Sequence, residues 1–293
     1  MVEHTGWFDR VATALLIVGT IAVCLPILLA LVVVSMPDGQ ELQAVYFIPG
    51  GHFLENMARA WTREDLGRQI VNSFVMAAGI TVGKIAICII SAFALVYFQF
   101  RYRQIIFWMI FATLMLPIEV RIVPTYEVAS NALLPAQQIA TFLGFDVNLQ
   151  WSLLNSYWGL TLPLIASATA TFLYRQFFLS VPEELCEAAR IDGAGPLTFF
   201  FYILLPMSLT TTAALSVILF IYGWNQYLWP LLITTDSSMS TVVVGVAQQI
   251  AVDEADPKWN MVMAAAIIAT LPPVLVVLLL QRWFVKGLVD AEK

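Results

Sequence analysis

Six apolar runs, each about as long as a helix needs to be to cross a hydrocarbon layer, divide this chain. At about 1.5 Å of rise per residue, roughly 20 residues are needed for such a crossing. The runs lie at approximately 11–36, 71–98, 105–129, 157–178, 207–233 and 261–284. They predict an all-α integral membrane protein with six transmembrane helices, and 1–293 as a single transmembrane domain. Composition agrees, because charged residues make up 12% and hydrophobic residues 60%, against roughly 25% charged in soluble domains. A soluble fold of this length lacks the interior to hide so much apolar surface. The first run is too long for a signal-peptide core, and no small-residue cleavage site follows it, so it is expected to stay as a span.

Lysine and arginine set the orientation. Arg10, Arg101, Arg103, Arg175, Arg190, Arg282, Lys286 and Lys293 fall on one side. Arg59, Arg63, Arg68 and Lys258 fall on the other, the three arginines sharing their segment with Glu55, Glu64 and Asp65. The stretch 131–156 has neither Lys nor Arg. Both termini and the segment 181–206 are therefore expected in the cytoplasm. A net charge of −6 argues against a nucleic-acid partner. Cys24, Cys88 and Cys186 are far apart and read as packing residues, and His4 and His52 are isolated, so no metal constellation forms in the sequence. The external segment 37–70 contains Pro49-Gly50-Gly51 and then Phe53–Trp61. That last piece reads either as an amphipathic helix at the membrane surface or under a partner, or as a simple loop.

Polar residues inside the runs are candidates for a path. Gly79-Ile80-Thr81-Val82-Gly83-Lys84-Ile85 is one residue short of a phosphate-binding P-loop, ends in Ile and follows no strand. Gly79 and Gly83 read instead as a helix-contact face. Lys84 then lies deep in the bilayer, where a charge needs either a structural partner or a wet cavity. Pro117 and Pro124 bracket Glu119 and Arg121 and predict a broken helix. A spacing of two puts Glu119 and Arg121 on different faces, and Arg121 reads equally as structural or as facing a ligand, its planar fork suiting phosphate. Ser167-Ala168-Thr169-Ala170-Thr171 suits tight helix contacts or a narrow cavity. The aromatic residues of Tyr222–Pro230 suit an interfacial belt, whereas Asn225 and Gln226 among them need amide partners. No clustered intramembrane acids or histidines of the kind that serve proton coupling or membrane-embedded chemistry occur.

Between the fourth and fifth runs lies 181–206, VPEELCEAARIDGAGPLTFFFYILLP. Ser180 and Glu183 have the spacing of a capping box, and Pro182 suits the first turn of a helix. The helix is expected over Pro182–Ile191, ended by Gly193 and Gly195. Glu183, Glu187 and Arg190 share one face, while Leu185, Ala188 and Ala189 offer a small-residue face for close approach. A second short helix from Pro196 carries Phe199, Phe200, Phe201 and Tyr202. The whole has the shape of a docking element.

Glu187-Ala188-Ala189, three residues, Gly193, nine residues, then Ile203-Leu204-Leu205-Pro206 resembles the EAA loop of bacterial ABC importer permeases. The stretches MLPIEVRIVPT, LPLIASATATFLYRQFF, FIYGWNQYLWPLLI and RWFVKGLVDAEK extend that likeness over nearly the whole chain, to the carbohydrate-uptake (maltose-type) group and within it to permeases for sn-glycerol 3-phosphate. The resemblance implies six spans of type I importer architecture in a bacterial inner membrane. It implies that Glu183, Glu187, Ala188, Ala189, Arg190, Asp192 and Gly193 form a coupling helix seated in a cytoplasmic ATPase. Its implied partners are a second, different permease, a dimeric ATPase and an extracytoplasmic substrate-binding protein. The chain itself then has no catalytic residue and no cofactor, and ATP and Mg are used by the partner ATPase. The implied solute is sn-glycerol 3-phosphate or a related glycerophosphodiester; the alternatives are a neutral sugar or oligosaccharide, and, from another class, an ion-coupled secondary transporter. Arg121, Lys84, Asn225 and Gln226 are the candidate path residues, and the nine-residue tail after Phe284 makes any contact with the ATPase short.

Overall fold

The structure, a computed structural model, describes residues 6–39, 48–62, 65–113, 118–145, 148, 150–251 and 257–290. Every regular element among them is helical. In chain order these are α1 (Gly6–Val34), α2 (Phe53–Thr62), α3 (Leu66–Tyr97), α4 (Arg103–Ala112), α5 (Ile118–Ser130), α6 (Leu134–Phe142), α7 (Tyr157–Thr161), α8 (Ala168–Ser180), α9 (Glu183–Ile191), α10 (Pro196–Phe199), α11 (Leu205–Met207), α12 (Leu209–Trp224), α13 (Leu228–Ile233), α14 (Val242–Ala251) and α15 (Trp259–Asp290). A π-helical turn, Phe200–Leu204, joins α10 to α11.

Three helices are long and apolar enough to cross a membrane, namely α1, α3 and the Trp259–Gln281 part of α15. Pro196–Met207 and Leu209–Trp224 form a fourth, bent by 69°. Among the described residues, length therefore marks three or four spans where the apolar runs predict six. The difference lies in two interrupted runs. The run at 105–129 is split into α4 and α5, with 114–117 outside the described residues. The run at 157–178 is broken after α7 by a 3-10 turn at Leu162–Leu164 that contains Pro163. Proline has no N–H to continue the ladder, and the helix restarts at Ser167, extended at φ −148 and ψ 108, whose hydroxyl accepts from the Ala170 N–H.

The chain divides into two compact units. Met1–Gly67 and Gly245–Leu271 form the first. Its organising problem is the end of α1, where the last carbonyls of a helix have no partner of their own. Asn56, buried on α2, donates its amide to the carbonyls of Val34 and Met36, each at 2.8 Å. Asn260 donates to the Met36 carbonyl at 3.3 Å and to Asp38 at 2.9 Å. Arg59 and Lys258 complete the cluster, each 3.2 Å from the Asp38 carboxylate. Phe53–Thr62 is thus a helix rather than a loop, with Asn56 and Ala60 inward and Leu54 and Trp61 outward.

Arg68–Val244 and Pro272–Lys293 form the second unit. One of its cores packs Met76, Ile80, Leu160 and Leu164 against Trp229 and Ile233, and the Trp229 indole donates to the Gly159 carbonyl at 3.0 Å. The other packs α3, α8 and the α10 region through Cys88, Phe93, Tyr174, Phe178, Phe199 and Phe200. Gly79 and Gly83 lie where α3 meets 161–165: a Cβ on either would come within 2.8 Å of Thr161 or 2.7 Å of Ile165. The glycine pair is a contact face, as its spacing predicts.

Candidate functional site

Two places in the second unit hold the residues that the sequence singles out. The first is α9. Pro182 occupies its N-cap position at φ −57 and ψ 137, with no side-chain cap. The expected capping box does not form, because Ser180 is the last residue of α8 and donates its hydroxyl to the Phe177 carbonyl at 2.7 Å. Val181 turns extended directly after it, at φ −71 and ψ 127, so the serine serves the preceding helix. The other end follows expectation. Gly193 sits at φ 75, its N–H bonds the Arg190 carbonyl at 3.1 Å, and the Ala194 N–H bonds the Ala189 carbonyl at 2.9 Å. That pair of bonds is a Schellman turn, which glycine enters without the steric cost of a Cβ. Gly195, at φ −70, is extended and opens α10.

Glu183, Glu187, Ala188, Arg190, Asp192 and Gly193 are exposed, whereas Ala189 is buried. The expected small-residue face is therefore split. Leu185, Ala188 and Ile191 make an outward stripe, and buried Ala189 and half-buried Cys186 turn inward. The helical repeat separates neighbours by about 100°, so 188 and 189 cannot serve one surface. Inward, Cys186 and Ala189 join one core cluster with Phe93, Tyr97, Phe199 and Phe200, in which Tyr97 lies 5.3 Å from Phe199 and Phe93 lies 4.8 Å from Phe200, centroid to centroid. Large rings in contact resist shear, so α9 and α10 are fastened to the end of α3. Ile191, 86% exposed, belongs to the outward stripe and is not singled out by the sequence; its place at three-residue spacing from Ala188 is the signal for it.

The second place is a cavity of about 600 Å³. α3 contributes Lys84, Cys88 and Ser91, α5 contributes Arg121, the start of α8 contributes Thr169 and Thr171, and α12 contributes Tyr222. Lys84 and Arg121 are the charged groups of its lining, and no acid lines it among the described residues. Lys84 is 5% exposed. Its ammonium lies 3.8 Å from the centre of the Tyr222 ring, and among the described residues no carboxylate pairs with it. A smaller cavity, about 70 Å³, shares Arg121, Ala166 and Tyr222 with the larger one and adds Thr125 and Trp229.

Arg121 arrives there on an unbroken helix. α5 runs through Pro124, so the expected break does not fall at that proline; the run is interrupted ahead of α5, where 114–117 lie outside the described residues. Pro124 gives no N–H to the Val120 carbonyl and its ring crowds that carbonyl, yet the helix continues past it, and the Thr125 hydroxyl donates to the Arg121 carbonyl at 2.6 Å. Pro117 and the side chain of Glu119 lie outside the described residues. Asn225 and Gln226 are not brought to either cavity. Asn225 is the exposed C-cap of α12, and Gln226 returns its amide to the Tyr222 carbonyl at 3.1 Å. Tyr222, assigned from sequence to the interfacial belt, lies inside α12 and lines both cavities. Its one sequence signal is that position inside the helix, ahead of the polar pair.

Comparison with known proteins adds four findings. The family described as binding-protein-dependent transport system inner membrane component matches residues 84–290. The sn-glycerol-3-phosphate transport system permease protein UgpE of Yersinia pestis bv. Antiqua is 51% identical over the full length of both chains. That of Escherichia coli O1:K1 / APEC is 49% identical over the same full coverage. A solved bacterial ABC transporter involved in the import of the acidic polysaccharide alginate superposes with a TM-score of 0.76 at 18% identity, covering 97% of this chain and 99% of that one.

Proposed function

This chain belongs to the binding-protein-dependent transport system inner membrane components, and on that premise we propose that it carries sn-glycerol 3-phosphate or a related glycerophosphodiester. It is a multi-pass permease subunit with an ABC importer fold. The observation that carries the solute reading is the cavity of about 600 Å³ whose charged lining residues are Lys84 and Arg121. A phosphate crossing a low-dielectric layer needs cations along its route, and the hydroxyls of Ser91 and Thr169 beside them accept and donate to a polyol.

The whole chain acts as one permease domain and does no covalent chemistry. A second, different permease completes the path, a binding protein delivers the solute from outside, and a dimeric ATPase hydrolyses ATP with Mg. No cofactor is bound by this chain. Both termini and the 181–206 loop face the cytoplasm. There, the outward stripe Leu185–Ala188–Ile191, flanked by Glu183, Glu187, Arg190 and Asp192, seats in the ATPase. The rings of Phe199 and Phe200, which follow α9 in the chain, anchor the docking element to α3, so closure of the ATPase dimer reaches the spans as a rigid-body movement and alternates the cavity between the two sides.

Uptake in proteoliposomes of the assembled complex tests this. ATP-dependent entry of sn-glycerol 3-phosphate, unaffected by collapsing a proton gradient, is expected. Uptake of a neutral sugar in its place would overturn the solute, and uptake driven by the gradient alone would overturn the importer. A cysteine at Asp192 should resist an impermeant thiol reagent applied to intact cells while one at Asn148 reacts; the reverse pattern would invert the orientation.

A further inference from the structure

We propose that Tyr222 is a positioning residue of the solute path, whose ring holds the Lys84 ammonium in reserve until an anion displaces it. This rests on the reading of the cavity as an anion path. Lys84 has no described carboxylate partner, and a buried ammonium without a partner is costly. The face of Tyr222, 3.8 Å away, supplies the compensation, since the ring quadrupole attracts a cation. Arg121 differs: it is exposed, and among the described residues no ring lies over its guanidinium. The cavity thus presents one open cation and one covered cation.

An entering phosphate meets the guanidinium in the open and gains the ammonium by taking it from the ring. Charge-assisted bonds to phosphate oxygens exceed a cation–π contact, so an anion completes that exchange. A neutral polyol offers nothing stronger than the ring and leaves Lys84 covered. Tyr222 therefore discriminates by charge through its hold on Lys84.

The same contact lies between the elements that hold α9. Tyr222 stands on α12, which meets Pro196–Met207 at a 69° bend, and that segment follows α9 in the chain. Lys84 stands on α3, whose last turns carry Phe93 and Tyr97 against Phe200 and Phe199. A shift of α12 along α3 changes how well the ring covers the ammonium. Coverage, and with it the hold on the anion, is linked to the position of the docking element.

The test uses the assembled complex in proteoliposomes, with sn-glycerol 3-phosphate as the probe and the amount of each variant in the membrane measured. Tyr222→Phe keeps the ring face and should lose far less uptake than Tyr222→Leu. Tyr222→Leu uncovers Lys84, so the anion is held longer, and kcat and KM should fall together by about tenfold, the scale of a cation–π contact shielded from water. Lys84→Met should lower uptake by itself, and adding Tyr222→Leu to it should change nothing more. If Tyr222→Leu costs as much in the Lys84→Met background as in the parent, the ring acts by packing and the proposal fails. It fails equally if Tyr222→Phe loses as much as Tyr222→Leu. Parental uptake by Lys84→Met would instead sink the anion-path reading beneath it, a result distinct from failure of the ring alone.

Discussion

The α9–α10 element and the Lys84 cavity share one compact unit and are built on opposite plans. The first is contiguous in sequence, its charges point out, and its inner stripe is clamped by the rings of Phe93, Tyr97, Phe199 and Phe200. The second draws Lys84, Arg121, Thr171 and Tyr222 from four separate helices and turns its charges inward. A surface that docks can be specified by one helix, because the helical repeat alone decides which residues are out. A cavity for a charged solute needs several helices at once, because only their packing removes water from one side of a cation and leaves the other side open.

That contrast makes the docking element sensitive to backbone change and the cavity sensitive to charge. The largest effect is expected at Gly193. Gly193→Val puts a β-branched residue at φ 75, a strain of about 1–3 kcal/mol. Uptake should fall by up to roughly a hundredfold while the protein remains in the membrane. Gly195→Ala, at φ −70 and with no atom within 4 Å of the added Cβ, should behave as the parent. Equal uptake by Gly193→Val and Gly195→Ala would break the comparison on the docking side.

Arg121→Gln comes next. Losing a hydrogen bond from a charged group costs about 1.5–3 kcal/mol, or roughly tenfold to a hundredfold in uptake of the phosphorylated solute. Basal ATP hydrolysis should stay near the parental rate, and Arg121→Lys should recover only part of the loss because the planar fork is gone. Restoration of uptake by the double change Glu119→Gln, Arg121→Gln would make Arg121 a mere counter-charge. Glu187→Lys should act a few-fold, since exposed charges contribute about 0.2–1 kcal/mol each. Its effect should appear in co-purification of the ATPase and weaken at high salt; insensitivity to salt would argue against an electrostatic rim around the stripe.

The smallest effect belongs to the first unit and serves as a control outside both regions. The Asp38 carboxyl is held well below the usual carboxylate range, chiefly by the Asn260 amide and then by the Arg59 guanidinium, with Lys258 adding to both. Because the folded form binds its proton less readily, the cluster stabilises above the ordinary carboxylate value of 3.8 and loses that contribution as pH falls below it. Asp38→Asn should cost at most about 1 kcal/mol at neutral pH, as for other partly exposed pairs. The gap from the parent in thermal unfolding should begin to close below about pH 4 and keep closing as the pH falls toward the depressed folded value; a gap that widened in acid would reverse the sign argued here.

Several features are legible along the chain itself. Runs of about 20 apolar residues have no soluble alternative, so the membrane class follows from hydrophobicity alone. Gly193 ends α9 because left-handed backbone is a local preference, decided within a few residues. Gly79 and Gly83 face a neighbour because small residues at a spacing of four leave one side of a helix flat. Ser180 shows the limit of such local signals: the capping spacing is present, yet the extended turn at Val181 assigns the serine to the helix that precedes it.

Tertiary structure alone decides the rest. Asn56 and Asn260 find the carbonyls at the end of α1 only when elements distant in the chain pack there. Lys84 is ambiguous in sequence because its environment depends on helices far along the chain; packing places it over Tyr222 and beside the cavity that Arg121 also lines. Asn225 and Gln226 have the same polar character and lie outside that cavity, at the close of α12. The physical reason is one of range. Backbone preferences and periodicity act within a few residues and can be read along the chain, whereas desolvation of a charge is set by whichever segments surround it, and no stretch of sequence contains that information by itself.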